Sequence, residues 1–167
     1  MNDIADILVC LEQAPALLKE LLADIPPAIL KQRRIPGKWS IHEHACHLAT
    51  VERDGMFARW DKFQSEERPV FLPLSGESYP ADYYLKMELD STVESFLGFR
   101  MELIRRARAV TDAAFWNRKA DHPEYELYTP FIMLRHIMMH DHLHMYRIEE
   151  LWLTRDASLP GAPHNRP

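Results

Sequence analysis

The nine histidines of this 167-residue chain are unevenly distributed. His136, His140 and His144 follow one another at i, i+4 steps, and His42, His44 and His47 crowd behind Trp39-Ser40. Residues four apart on a helix share one face, with Cβ atoms about 5–6 Å apart. One helix can therefore aim two or three imidazoles at one point while a second helix supplies another. Imidazole is the commonest protein ligand for divalent transition metals. Several interior imidazoles would each need a polar partner, whereas one metal ion satisfies them together. A metal site is the chemistry this spacing suggests.

Such histidines need helices to hold them. Ile4, Ile7, Leu8, Leu11, Leu18, Leu21 and Leu22 recur at helical spacing and predict a first helix from about Asp3 to Ala23. Pro15 is expected to kink it or mark a restart. Pro26-Pro27 closes it, leaving one short turn to Lys31 and a loop over 34–38. Ser40 followed by Glu43 forms a capping box, in which each side chain satisfies an orphan backbone N–H, and predicts a second helix to about Phe63. A third helix is predicted from Tyr83 to about Val110, then a short capped turn from Thr111 to Trp116. Thr129-Pro130 supplies an N-cap and a proline at the first position of a fourth helix, which runs to about Thr154.

The connection from Ser65 to Ala81 can extend over more than about 50 Å, against about 36 Å for a 24-residue helix. It can cross the whole molecule, so helices two and three can run parallel. The expected fold is all-α: a four-helix bundle with a long crossover between helices 2 and 3, one domain over residues 1–155 and a poorly ordered C-terminal tail over 156–167.

A wheel of about 100° per residue places His47 on the core face of helix two with His44, Leu48, Val51, Gly55 and Ala58. On helix four, Met133, His136, Ile137, His140, His144, Arg147, Ile148 and Leu151 share one side. His42 departs from the core stripe, and His142 points nearly opposite the ligand face. His42-Glu43 resembles the start of HExxH, but position 46 is Cys, so this is not a zincin helix. Glu43 is accounted for by the capping box. Cys46 lies about 100° from His47 and is expected in the core.

Composition narrows the remaining classes. A content of 47% apolar and 27% charged residues is ordinary for a globular protein. The net charge of −5, without a basic footprint, argues against nucleic acid as a partner. The two cysteines, Cys10 and Cys46, form no CxxC pair and are expected reduced. No signal-peptide pattern appears, and no apolar run approaches the roughly 20 residues of a membrane span. A cytoplasmic protein is expected.

Two segments carry a family resemblance. Pro36-Gly37-Lys38-Trp39-Ser40-Ile41-x-Glu43-x-x-x-His47-Leu48, followed by Glu52, resembles the helix-two signature of the DinB-like (DinB/YfiT) metalloprotein superfamily. His140-Asp141-His142-Leu143-His144-x-x-x-Ile148 resembles its helix-four signature. The resemblance implies an up-down-down-up four-helix bundle, often dimeric. It also implies a divalent metal, commonly nickel or zinc, whose ligands carry over to His47, His140 and His144. His44 and His136 are extra to that pattern. The family commonly has Gly followed by Gln or Glu where this chain has Tyr146-Arg147.

Three histidines leave coordination positions open, as catalytic rather than structural sites do. The resemblance thus implies a metal-dependent enzyme that activates a thiol or water nucleophile, similar to thiol transferases, with a small-molecule substrate such as a low-molecular-weight thiol. The alternative is a non-catalytic or stress-associated bundle, in which a fourth protein ligand such as His44 or His136 saturates the metal. A metal-free helical dimer would show diverging histidines. Arg147, one turn beyond His144, is expected either to pair with Glu52 or Asp54 on helix two or to bind an anionic group of the substrate.

Overall fold

The computed structural model describes residues 3–73 and 79–154; the expected tail over 156–167 lies outside them. Helix α1 (Ile4–Ala23) is capped by Asp3, and a single turn, α2 (Pro27–Leu30), follows. Helix α3 (Ile41–Val51) passes through a π-helical segment (Glu52–Met56) into α4 (Phe57–Ser65), making one long rod. The remaining long helices are α5 (Leu89–Arg108) and α6 (Pro130–Leu153). The capping box of Ser40 and Glu43 is present, and Thr129 caps α6 with Pro130 in its first turn.

Cross-helix pairs establish the directions. Lys19 meets Glu94 and Glu12 meets Arg108, so α1 and α5 run antiparallel. Glu52 meets Arg100 and Asp61 meets Arg106, so the α3–α4 rod runs parallel to α5. His44 meets His144 and Arg59 meets Tyr128, which sets α6 antiparallel to that rod. The result is an up-down-down-up four-helix bundle, with α1 and α3 each packed against both α5 and α6. Where the crossover leaves α4, Phe71 N–H donates to the Asp121 carbonyl at 2.9 Å, and isolated bridges join Val70 to Asp121 and Ala120 to Tyr128. At the opposite end of the rod it closes on α3 through Tyr84.

Three local expectations change. The segment expected to open the third helix is instead a 3-10 turn, Tyr84–Lys86, separated from α5. Ala58, expected in the core, is exposed, while Arg59, Trp60 and Phe63 are buried. The π turn between His47 and Ala58 adds residues without completing the usual rotation, so the buried face resumes out of phase. Pro15 neither breaks nor restarts α1, which runs on uninterrupted. A mid-helix proline frees the carbonyl four residues earlier. Here that carbonyl, Leu11 O, accepts from Arg100 Nη1 at 3.2 Å.

Arg100 sits in the middle of the bundle with no solvent exposure. Its Nε and Nη2 donate to Glu52 at 2.7 and 3.0 Å, and its Nη1 and Nη2 donate to Asp141 at 2.7 and 3.2 Å. With Leu11 O this engages all five guanidinium N–H groups. One side chain thus ties α1, the π segment and α6 to α5. Apolar clusters lie on either side, one around Trp60, Phe63 and Tyr128, the other around Leu18, Ile41 and Phe96.

Candidate metal centre

The site grows from two helix starts. In α3 the capping box sets the helical phase from Ser40, and Trp39 before it packs on His44 four positions into the helix, with ring centroids 5.4 Å apart. That contact is a hydrophobic staple, which fixes the angle at which the chain enters the helix. One turn later His47 is buried. In α6 the i, i+4 pair His140 and His144 faces back across the bundle.

The antiparallel register makes these rings meet. One ring nitrogen from each of His47, His140 and His144 can be chosen so that all three lie within 4.8 Å of one another. Nε2 of His47 stands 3.2 Å from Nε2 of His140. Tetrahedral zinc, bonded at about 2.0–2.1 Å to each imidazole nitrogen, holds such nitrogens about 3.4 Å apart, close to the His47–His140 spacing.

Electrostatics favour the ligating form of each ring. Burial, followed by the neighbouring imidazoles, pushes His47 down to about 3 and His144 down to about 2. Burial, with His136 and Arg100 nearby, pushes His140 down to about 4. All three are therefore neutral near pH 7, and a neutral imidazole offers a lone pair to a cation.

Two of the three rings have a neighbour at their outer nitrogen. His47 Nδ1 lies 3.0 Å from the Tyr84 hydroxyl, and His144 Nδ1 lies 2.8 Å from Nδ1 of His44. Trp39 roofs the cluster, with its ring centroid 4.8 Å from His47 and 6.1 Å from His144. His44, only part-buried, contacts the triad from outside through His144. Burial again pushes it down, to about 4.

The remaining histidines divide. His136 sits beyond the triad in an aromatic cluster, 5.4 Å from the Tyr125 ring and 6.2 Å from that of Tyr128. His42, expected off the core stripe, is buried, and its Nε2 donates to the Tyr84 carbonyl at 3.0 Å. The crossover covers that flank of α3, which no wheel drawn for one helix could reveal. His142 is on the surface with its Nδ1 2.6 Å from the Met138 carbonyl. Glu43 is held by the capping box and by Arg33. Cys10 and Cys46 are both free thiols, Cys46 in the core.

Arg147 does not pair with Glu52 or Asp54. Glu52 belongs to Arg100 and Asp54 to Arg53. With His44 level with His144 and His47 level with His140, residues after His144 lie beside the approach to α3, away from Glu52. Arg147 instead pairs with Glu150 at 2.7 Å and remains about half exposed. It lines a cleft of about 580 Å³ with Lys38, Trp39, His44, His144 and Glu150.

Sequence reasoning missed two groups. Tyr84 carried no signal, because its role depends on where the crossover lands. Arg100 carried one: it interrupts the apolar stripe of α5 four residues after Phe96.

The comparisons with known proteins agree with this architecture. YfiT from Bacillus subtilis, described as a probable metal-dependent hydrolase with an unusual four-helix bundle topology, has a similar structure. The TM-score is 0.77 at 23% identity, over 88% of this chain and 84% of that one. At this identity the likeness concerns the fold. No curated protein matches the sequence. The model of the DinB superfamily matches residues 11–148, most of the chain and both histidine signatures, and the protein belongs to that superfamily.

Proposed function

We propose that this protein is a metal-dependent enzyme in which His47, His140 and His144 hold a divalent transition metal, nickel or zinc, and a water or thiol nucleophile is activated beside it. The observation that carries the reading is the convergence on one point of three imidazoles with depressed basicity, two buried and that of His140 half-buried. A metal there lowers the pKa of a coordinated water or thiol. His44 and His136 lie outside the triad, which supports an open coordination position over a saturated structural site. The chain's own residues supply the rest: His44 backs His144, Trp39 shields the rings, and Lys38 and Arg147 offer cationic donors to an anionic substrate in the adjoining cleft.

Both hydrolysis, named for YfiT, and thiol transfer fit this arrangement. Elemental analysis of tag-free protein is expected to find one nickel or zinc per chain. His140→Ala abolishes that stoichiometry and His142→Ala leaves it intact; retention by His140→Ala refutes the ligand set. A parallel screen of ester or amide hydrolysis and of thiol transfer then assigns the reaction. We further propose a cytoplasmic homodimer. Met139, Leu143, Tyr146 and Leu153 form an exposed apolar stripe along α6, which supports self-association. A monomer in sedimentation at micromolar concentration refutes it. Among the described residues no helix is long and apolar enough to cross a membrane.

A further inference from the structure

We propose that Tyr84 is the positioning residue of the metal centre, holding the His47 ring so that its Nε2, and not its Nδ1, is presented to His140 and His144. The proposal rests on the metal reading above and adds to it a residue from the crossover.

The geometry starts with how firmly Tyr84 is held. It lies on the 3-10 turn Tyr84–Lys86 and is almost wholly buried. Its carbonyl accepts from His42 Nε2 at 3.0 Å, five residues before His47 on the same helix. The next carbonyl, Leu85 O, accepts from Lys31 Nζ at 2.9 Å. Its ring meets His47 edge-on, 5.6 Å between centroids at 90°, and packs on Trp39 at 5.4 Å. The phenol oxygen therefore has a defined place, 3.0 Å from His47 Nδ1.

The chemistry follows from the two nitrogens of one imidazole. A ring that gives its Nε2 lone pair to a metal carries its proton on Nδ1, and that N–H needs an acceptor. The Tyr84 hydroxyl is a neutral phenol at pH 7, with a lone pair 3.0 Å from Nδ1. A neutral oxygen accepts the Nδ1–H without drawing the proton off, as a carboxylate in that place tends to do. His47 is thereby fixed in tautomer and orientation while staying a neutral ligand. Because the acceptor comes from the crossover, loading the site also tightens that segment against α3.

The test is zinc binding to the full chain, by competition with a chromophoric chelator at pH 7. Tyr84→Phe removes only the hydroxyl and is expected to weaken zinc binding by about 10- to 100-fold, the usual cost of losing such a partner. Tyr83→Phe, one residue away, is expected to bind as wild type. The second readout is nitrogen-15 NMR of histidine-labelled, zinc-loaded wild type. It should show His47 bound through Nε2 with a slowly exchanging, hydrogen-bonded Nδ1–H, and Tyr84→Phe should lose that protection. Zinc affinity of Tyr84→Phe within twofold of wild type overturns the proposal, as does an unchanged Nδ1–H. If Tyr84→Phe does not fold, the wild-type spectrum decides: an Nδ1–H exchanging as fast as free imidazole overturns it. Wild type that binds neither zinc nor nickel refutes the metal reading and this inference with it, whereas wild type that binds zinc beside an unaffected variant refutes the inference alone.

Discussion

Replacing Arg100 by Met should cost this protein about 3–5 kcal/mol, the range for removing one partner of a buried ion pair. The guanidinium has no exposure and its two carboxylate partners are each only 2% exposed. Met fills the methylene path of Arg but offers no donor, so Glu52, Asp141 and the Leu11 carbonyl lose their partner together. Protonation sets a ceiling on the cost. Neutralising a carboxyl of pKa about 4 at pH 7 takes roughly 4 kcal/mol, so the uncompensated pair cannot cost much more than about 8 kcal/mol. With a urea slope of about 2 kcal/mol per molar, a loss of about 4 kcal/mol lowers the unfolding midpoint by about 2 M.

The pH dependence of that loss separates charge from packing. Without Arg100, burial pushes the Asp141 carboxyl further above its unfolded value. A carboxyl with a raised folded-state pKa penalises the fold at neutral pH, and the penalty disappears as the pH falls toward its unfolded pKa. The gap between wild type and Arg100→Met should therefore narrow between pH 7 and about pH 4. Urea titrations followed by circular dichroism across that range give the comparison directly. A neutral-pH loss under about 1 kcal/mol at unchanged slope would refute the buried clamp as an energetic element. A gap that ignores pH would assign the loss to packing.

Metal-free protein should lose stability on acidification from about pH 6.5 downward, because the folded state holds His47 and His144 neutral while unfolded histidines protonate. Their folded-state values are depressed, so the contribution is complete above the unfolded pKa and is lost as the pH falls. Between pH 7 and 5 the two together cost on the order of 4 kcal/mol; a midpoint constant over that range would contradict the buried, neutral cluster. Cys46, fully buried and pushed up to about 12 by that burial, should resist thiol reagents at pH 8 until urea unfolds the chain, whereas half-buried Cys10 should react first. Two equivalent, fast-reacting thiols in the native protein would refute this difference.

The parts of this protein legible in the sequence are those settled within a few residues. Ser40 and Glu43, or Thr129 and Pro130, decide where a helix begins because each cap satisfies backbone groups only three positions away. The i, i+4 spacing then puts His140 and His144 on one face whatever surrounds them, and the long crossover admits parallel neighbours. What the tertiary structure decided depends on partners distant in sequence. The antiparallel register of α3 and α6 sets His47 against His140 and His144, leaves His136 among tyrosines, and sends Arg147 toward Glu150 instead of Glu52. A π turn moves Ala58 to the surface. Arg100 reaches the carbonyl that Pro15 freed 89 positions away, and Tyr84 reaches His47 because the crossover ends there. A helix repeats by local hydrogen bonding, which residue types can report. A site closes only when several helices and a loop stop at matching heights, and packing of the whole core sets those heights.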